Sequence, residues 1–184
     1  MKKNFNQIAA AMVFAGSALV AQAAQAAPID ISQAPEAVTL AAGTAHFDDT
    51  FLNGNAHNLF NDQFTFTTTG VTNVDMILTS ISTSAANGLN LTGFSLYNSN
   101  SNAVVLNGTQ LKTGLQDKWT LTFNSLAAGS YYFKVSGNVV SAAGGAFSGN
   151  GHVLSAVPEA DTYAMLLAGM GVLGVVARRR NKAA

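Results

Sequence analysis

An all-β fold is what this 184-residue chain predicts: an antiparallel, jelly-roll-like β-sandwich of about seven or eight strands, with one helix at each terminus. Three observations carry that expectation. Apolar and polar residues alternate with period two in several separate runs, the pattern of strands with one oily face. Clusters of Asn, Gly, Ser and Thr punctuate the runs at short intervals and supply turn conformations. Between Pro28 and Val157 no stretch combines helical periodicity with caps, so the crossover helices of a parallel sheet are missing.

Residues 1–26 read as a secretory signal peptide, with Lys2 and Lys3 as the positive segment and Ile8 to Val20 as a short apolar one. Ala21-Gln22-Ala23 and Ala24-Gln25-Ala26 are both A-x-A boxes; the second is preferred, with cleavage between Ala26 and Ala27 by signal peptidase after passage through the secretory translocon. Residues 27–140 hold the sandwich. Phe64 and Phe66 alternate with Thr65 and Thr67; Val74, Met76 and Leu78 with Asp75 and Thr79; Phe94 and Leu96 with Ser95 and Tyr97. Trp119, Leu121 and Phe123 alternate with Lys118, Thr120 and Thr122, and Tyr131, Phe133 and Val135 with Tyr132, Lys134 and Ser136. Trp119, Phe94, Phe133 and Tyr131 are the expected core anchors. Residues 141–156, rich in Gly, Ala and Ser, read as a flexible spacer.

Residues 157–184 are the tail. An uncharged apolar run from Thr162 to Ala177 predicts a transmembrane helix over 162–177, roughly 24 Å long. That is short of a hydrocarbon core of roughly 30 Å, a gap that thinning and snorkelling can cover. Arg178, Arg179, Arg180 and Lys182 form a basic anchor on the cytoplasmic side.

The chain is neutral as a whole, but the exported part holds seven acids against three bases, net −4; the remaining six bases sit in the two terminal segments. So few cations exclude a nucleic-acid partner. The absence of cysteine excludes disulfides, thiolate catalysis and thiolate metal ligation.

Val157, Pro158, Glu159 and Ala160, followed by the apolar run and the basic end, resemble the PEP-CTERM sorting signal, with Ala160 where that family carries a second proline. The resemblance implies transient anchoring on the periplasmic side of the inner membrane and processing by an exosortase-like transpeptidase. It also implies display at the cell surface or in an extracellular matrix, with association to exopolysaccharide or biofilm. Phe47, Asp49 and Phe51, and again Phe60, Asp62 and Phe64, fit F-x-D-x-F, and the exported chain is similar to the PEP-CTERM proteins named for that motif. The series Asp62 to Phe66, Gly93 to Asn98 and Leu126 to Gly137 is similar to the bacterial pre-peptidase C-terminal domain, a β-sandwich, with Asn98 in place of its usual Asp.

On a strand, the central Asp of each F-x-D-x-F shares a face with its two phenylalanines and needs a partner there. Backbone amides or hydrogen-bonding neighbours are the favoured partner. A calcium ion held by Asp48, Asp49 and Asp62 is the alternative, although Asp48 points away from Asp49 on a strand. His46, His57 and His152 are too scattered for a zinc motif. No nucleophile elbow, phosphate loop or working pair of carboxylates appears, so no catalytic residue is expected and no cofactor beyond that calcium. The expected function is that of a non-enzymatic surface or matrix protein. The alternative is a carbohydrate- or calcium-binding module using Tyr97 and Tyr132, which alternate away from the core residues of their strands.

Overall fold

The computed structural model describes residues 27–84, 86–155 and 160–181. The signal peptide, with Ala24 and Ala26, lies outside them, as do Val157, Pro158, Glu159 and Lys182; Ala27 is exposed. Eleven strands form two sheets, in the orders β1-β4-β10-β6-β7 and β2-β3-β11-β5-β9-β8. The long strands are β3 (Thr44–Phe51), β4 (Leu59–Thr68), β5 (Thr72–Ile81), β6 (Leu89–Asn98), β9 (Gln116–Leu126), β10 (Gly129–Val139) and β11 (Gly145–Ser155). The short ones are β1 (Glu36–Ala37), β2 (Thr39–Ala41), β7 (Val104–Asn107) and β8 (Thr109–Lys112).

The pairing has a simple logic. β3 pairs with β11, β4 with β10, β5 with β9, and β6 with β7, all antiparallel. These are nested pairs, as in one long hairpin rolled over on itself. Because successive strands step between the two sheets, the roll closes into the double Greek key of a jelly roll. β1, β2 and β8 extend its edges, and β1 runs parallel to β4.

Period-two alternation sets the register of each strand. In β4 the buried residues are Phe60, Asp62, Phe64 and Phe66; in β5 they include Val74, Met76 and Leu78, with Ile77 outside. Phenylalanine rings fill the space between the sheets. Phe47 stacks on Phe64 at 4.3 Å and lies 5.6 Å from Phe133, and Phe51 stacks on Phe60 at 4.4 Å. Each contact crosses from one sheet to the other, so the rings join the layers, at about 2–3 kcal/mol per buried side chain. Phe94, Phe133 and Tyr131 are buried as expected; Trp119 is only partly buried and donates Nε1–H to the Leu91 carbonyl at 3.3 Å.

Two expectations are corrected. Residues 141–156 are not a spacer: β11 occupies Gly145–Ser155 and lies inside its sheet, between β3 and β5. Its glycines are there for space. A Cβ on Gly149 would come 2.1 Å from the Phe47 ring, and one on Gly151 would come 1.9 Å from the Asp75 carbonyl oxygen. The sandwich therefore runs to residue 155, not 140. The tail does form a helix, α1 (Ala160–Asn181), longer than the expected 162–177; yet among the described residues no helix is long and apolar enough to cross a membrane.

Candidate functional site

Two places could carry function: the paired F-x-D-x-F segments inside the sandwich, and the tail that follows its last strand.

The first copy lies on β3 and the second on β4, in opposite sheets. The two cross-sheet stacks, Phe47 on Phe64 and Phe51 on Phe60, set the copies face to face and antiparallel. The central residues must then meet, and the Asp49 and Asp62 carboxyl groups lie within hydrogen-bonding reach of each other. Asp62 is 1 % exposed; its Oδ1 accepts the Gln33 N–H at 2.7 Å. Asp49 Oδ1 accepts the Thr50 N–H at 2.6 Å. The Oδ2 atom of each is buried with no donor. A proton on Asp62 gives its orphaned Oδ2 a bond to make, and the neighbouring charge of Asp49 opposes ionisation of Asp62. Burial first of all, and the neighbouring charges of Asp49 and Asp30 after it, push Asp62 up to about 7; the Gln33 N–H works in the opposite direction. The hydrogen-bonding partners here are two backbone amides, Gln33 N–H on Asp62 and Thr50 N–H on Asp49.

Asp48 is not part of this pair. It lies on the outer face of β3, exposed, with Oδ1 3.1 Å from His46 Nε2, so the three aspartates proposed for calcium are not brought together. His46 Nδ1 meets Asn150 Oδ1 at 2.8 Å across the β3–β11 ladder. His57 sits in a loop with φ of 66° and His152 is exposed on β11; among the described residues no three metal-ligating groups of His, Cys, Asp or Glu gather. A shallow cavity of about 480 Å³ opens on this outer face, lined in part by His46, Asp48, Thr50, Thr79, Ile81 and Ser148. Tyr97 and Tyr132 stack in parallel at 5.0 Å on the outer face of the other sheet, with Lys134 Nζ 5.9 Å from the Tyr97 ring. Tyr132 is buried there, and burial followed by the nearby Tyr97 raises its phenol pKa.

Two residues of consequence escape a reading of the sequence. Gln33 acts through its backbone, on a segment with no periodicity that lies along β4 through Ile31 N–H to the Leu59 carbonyl and Val38 N–H to the Thr65 carbonyl. Asp117 is buried and clasps two backbone amides, Leu91 N–H at 2.9 Å and Gly114 N–H at 3.1 Å.

The tail begins where β11 stops. Ser155 still pairs with Thr72, and α1 starts at Ala160. Met165, Leu166, Leu167, Met170, Val172 and Leu173 are all exposed, so this stretch of helix buries nothing against the sandwich; Arg178 is exposed and Arg179 and Arg180 belong to the last turns of α1.

No curated protein matches the chain. Among solved structures it is similar to the crystal structure of Aeromonas hydrophila PliG, a periplasmic lysozyme inhibitor of g-type lysozyme, at 13% identity and a TM-score of 0.40. That likeness covers 67% of this chain and 98% of the other, and at this level it carries no argument about function. A family model for the PEP-CTERM protein-sorting motif matches residues 156–180, from the start of the tail through its third arginine, Arg180. Residues 156–180 therefore carry a PEP-CTERM protein-sorting motif, which indicates export, anchoring at the membrane and processing by an exosortase-like enzyme.

Proposed function

We propose that the chain is a non-enzymatic surface or extracellular-matrix protein, released from its anchor by the sorting enzyme and associated with exopolysaccharide or biofilm. One observation carries the reading: the sorting motif starts at residue 156, directly after the last strand of a sandwich that is complete without it. A tail whose described apolar side chains stay outside the core is suited to removal. The buried carboxyl pair supports a structural role, since Asp62 is closed between the phenylalanine stacks and out of reach of a substrate. The test is fractionation of the native cells. Most of the protein should co-extract with extracellular polysaccharide, and a membrane-only distribution would refute the matrix assignment.

A second reading, a carbohydrate- or calcium-binding module, draws on the shallow cavity beside His46 and Asp48, whose hydroxyl, imidazole and carboxylate groups suit a polyhydroxylated ligand. Pull-down on cell-derived polysaccharide decides the first half of it. Melting at millimolar calcium decides the second, an unchanged midpoint removing the metal.

A further inference from the structure

We infer that the end of the sandwich from which the tail leaves is a membrane-facing surface, seated on lipid headgroups while the tail is anchored. The inference rests on the anchoring implied by the sorting motif and adds to it an orientation and a contact.

The tether comes first. β11 ends at Ser155 and α1 begins at Ala160. Five Cα steps of 3.8 Å limit the distance to about 19 Å, fully stretched. No soluble domain fits in such a gap, so whatever holds the helix also meets this end of the sandwich.

The chemistry of that end agrees. Register places the β4–β5, β6–β7 and β9–β10 connections and the β2–β3 turn beside Ser155: Thr72 pairs with both Ser155 and Leu126, Thr68 with Gly129, Asn98 with Tyr131, and Thr44 with His152. Residues 40–44, 67–73, 98–105, 124–130 and 153–155 make up this end, and none is Asp, Glu, Lys, Arg or His. Every charge of a domain with net −4 lies farther along the strands or at the other end. Anionic lipid repels acidic groups within a Debye length of about 8–10 Å, so this is the one end that approaches such a surface without penalty. Thr, Asn and Ser suit the headgroup layer, and Leu40, Val71 and Leu154 stand out from it, each about half exposed. Apolar side chains are exposed at the far end as well, Leu52 and Ile81 among them. The short tether, and loops without a charge until Glu159 and Asp161 of the tail itself, are what distinguish the tail end. Strands of ten or eleven residues then stand on the membrane, lifting the far loops about 30 Å above it.

The chain has no cysteine, so single probes are clean. Full-length Val71→Cys and Ile81→Cys, each carrying an environment-sensitive fluorophore, are reconstituted in phosphatidylethanolamine–phosphatidylglycerol vesicles containing a headgroup spin label. Both side chains are exposed, and Leu154→Cys with Leu52→Cys serves as a second pair should either variant misfold. Quenching at 71 should exceed that at 81 by about fivefold, given the height of the strands. Equal quenching in chains that float with the vesicles overturns the lipid seat and leaves the anchoring intact. Chains that do not float at all overturn the anchoring, and the seat with it. Protection at 71 only in membranes containing the processing enzyme gives the surface to that enzyme instead.

Discussion

Replacing Asp62 with Asn removes one ionisable group from the carboxyl pair and keeps its shape. The amide oxygen can still accept the Gln33 N–H that Asp62 Oδ1 accepts at 2.7 Å, and the amide nitrogen can donate to Asp49, whose Oδ2 has no donor. The sign follows from linkage. Asp62 is raised in the folded protein from 3.8 to about 7, so the fold binds a proton that the unfolded chain has released. Its favourable contribution is fully present below pH 3.8 and is lost as pH rises to about 7. A shift of about three units corresponds to roughly 4 kcal/mol, spread over that window at no more than about 1.4 kcal/mol per pH unit. At pH 8 Asp62→Asn should therefore be more stable than wild type, with a melting midpoint higher by on the order of 10 °C. At pH 4 the two should nearly coincide. The assay is thermal or urea unfolding of both chains at half-unit steps from pH 4 to 8, at constant ionic strength. Carboxylates remote from the pair, such as the exposed Glu36, are common to both chains and drop out of the difference. Parallel stability curves, or a variant less stable at pH 8, would refute the paired-carboxyl account.

Other perturbations test other parts of the structure. Gly149→Ala forces a methyl group to within 2.1 Å of the Phe47 ring and should destabilise the sandwich by about 3 kcal/mol, as read by urea unfolding; a neutral result would mean that β11 does not pack as described. Phe133→Ala removes a fully buried ring that touches Phe47, Phe66 and Phe94 and should cost about 3–5 kcal/mol. Truncation after Ser155 should leave the melting midpoint within about 2 °C of the tailed chain, because the exposed helix segment adds no burial to the core. Truncation after Val140, the end of the sandwich expected from sequence, should abolish cooperative melting, since it deletes a strand paired on both sides.

Much of this architecture is legible in the sequence. Period-two alternation locates β4, β5, β6, β9 and β10, and the placement of each F-x-D-x-F on one strand face anticipates the inward Phe47, Asp49, Phe51, Phe60, Asp62 and Phe64. The meeting of the two motifs is not legible, because it depends on β3 and β4 lying in opposite sheets at a matching height, a tertiary fact. β11 is misread for a physical reason. A stretch rich in Gly, Ala and Ser reads as a flexible linker, whereas Gly149 and Gly151 are required by the close approach of an aromatic ring and a backbone oxygen. Gln33 leaves no trace in the sequence, since any residue but proline supplies the same backbone N–H. For the tail the order reverses: its residues announce the sorting motif more directly than the helix geometry does.

The central claim is that a self-sufficient sandwich is exported and then parted from a disposable tail. Intact-mass measurement of the protein from its native cells, with and without the sorting enzyme, tests it most directly. The account predicts a chain that begins at Ala27 and ends near residue 159 in normal cells, and one that retains its tail when the enzyme is deleted. A mature protein still carrying Arg178, Arg179 and Arg180 in normal cells would contradict it.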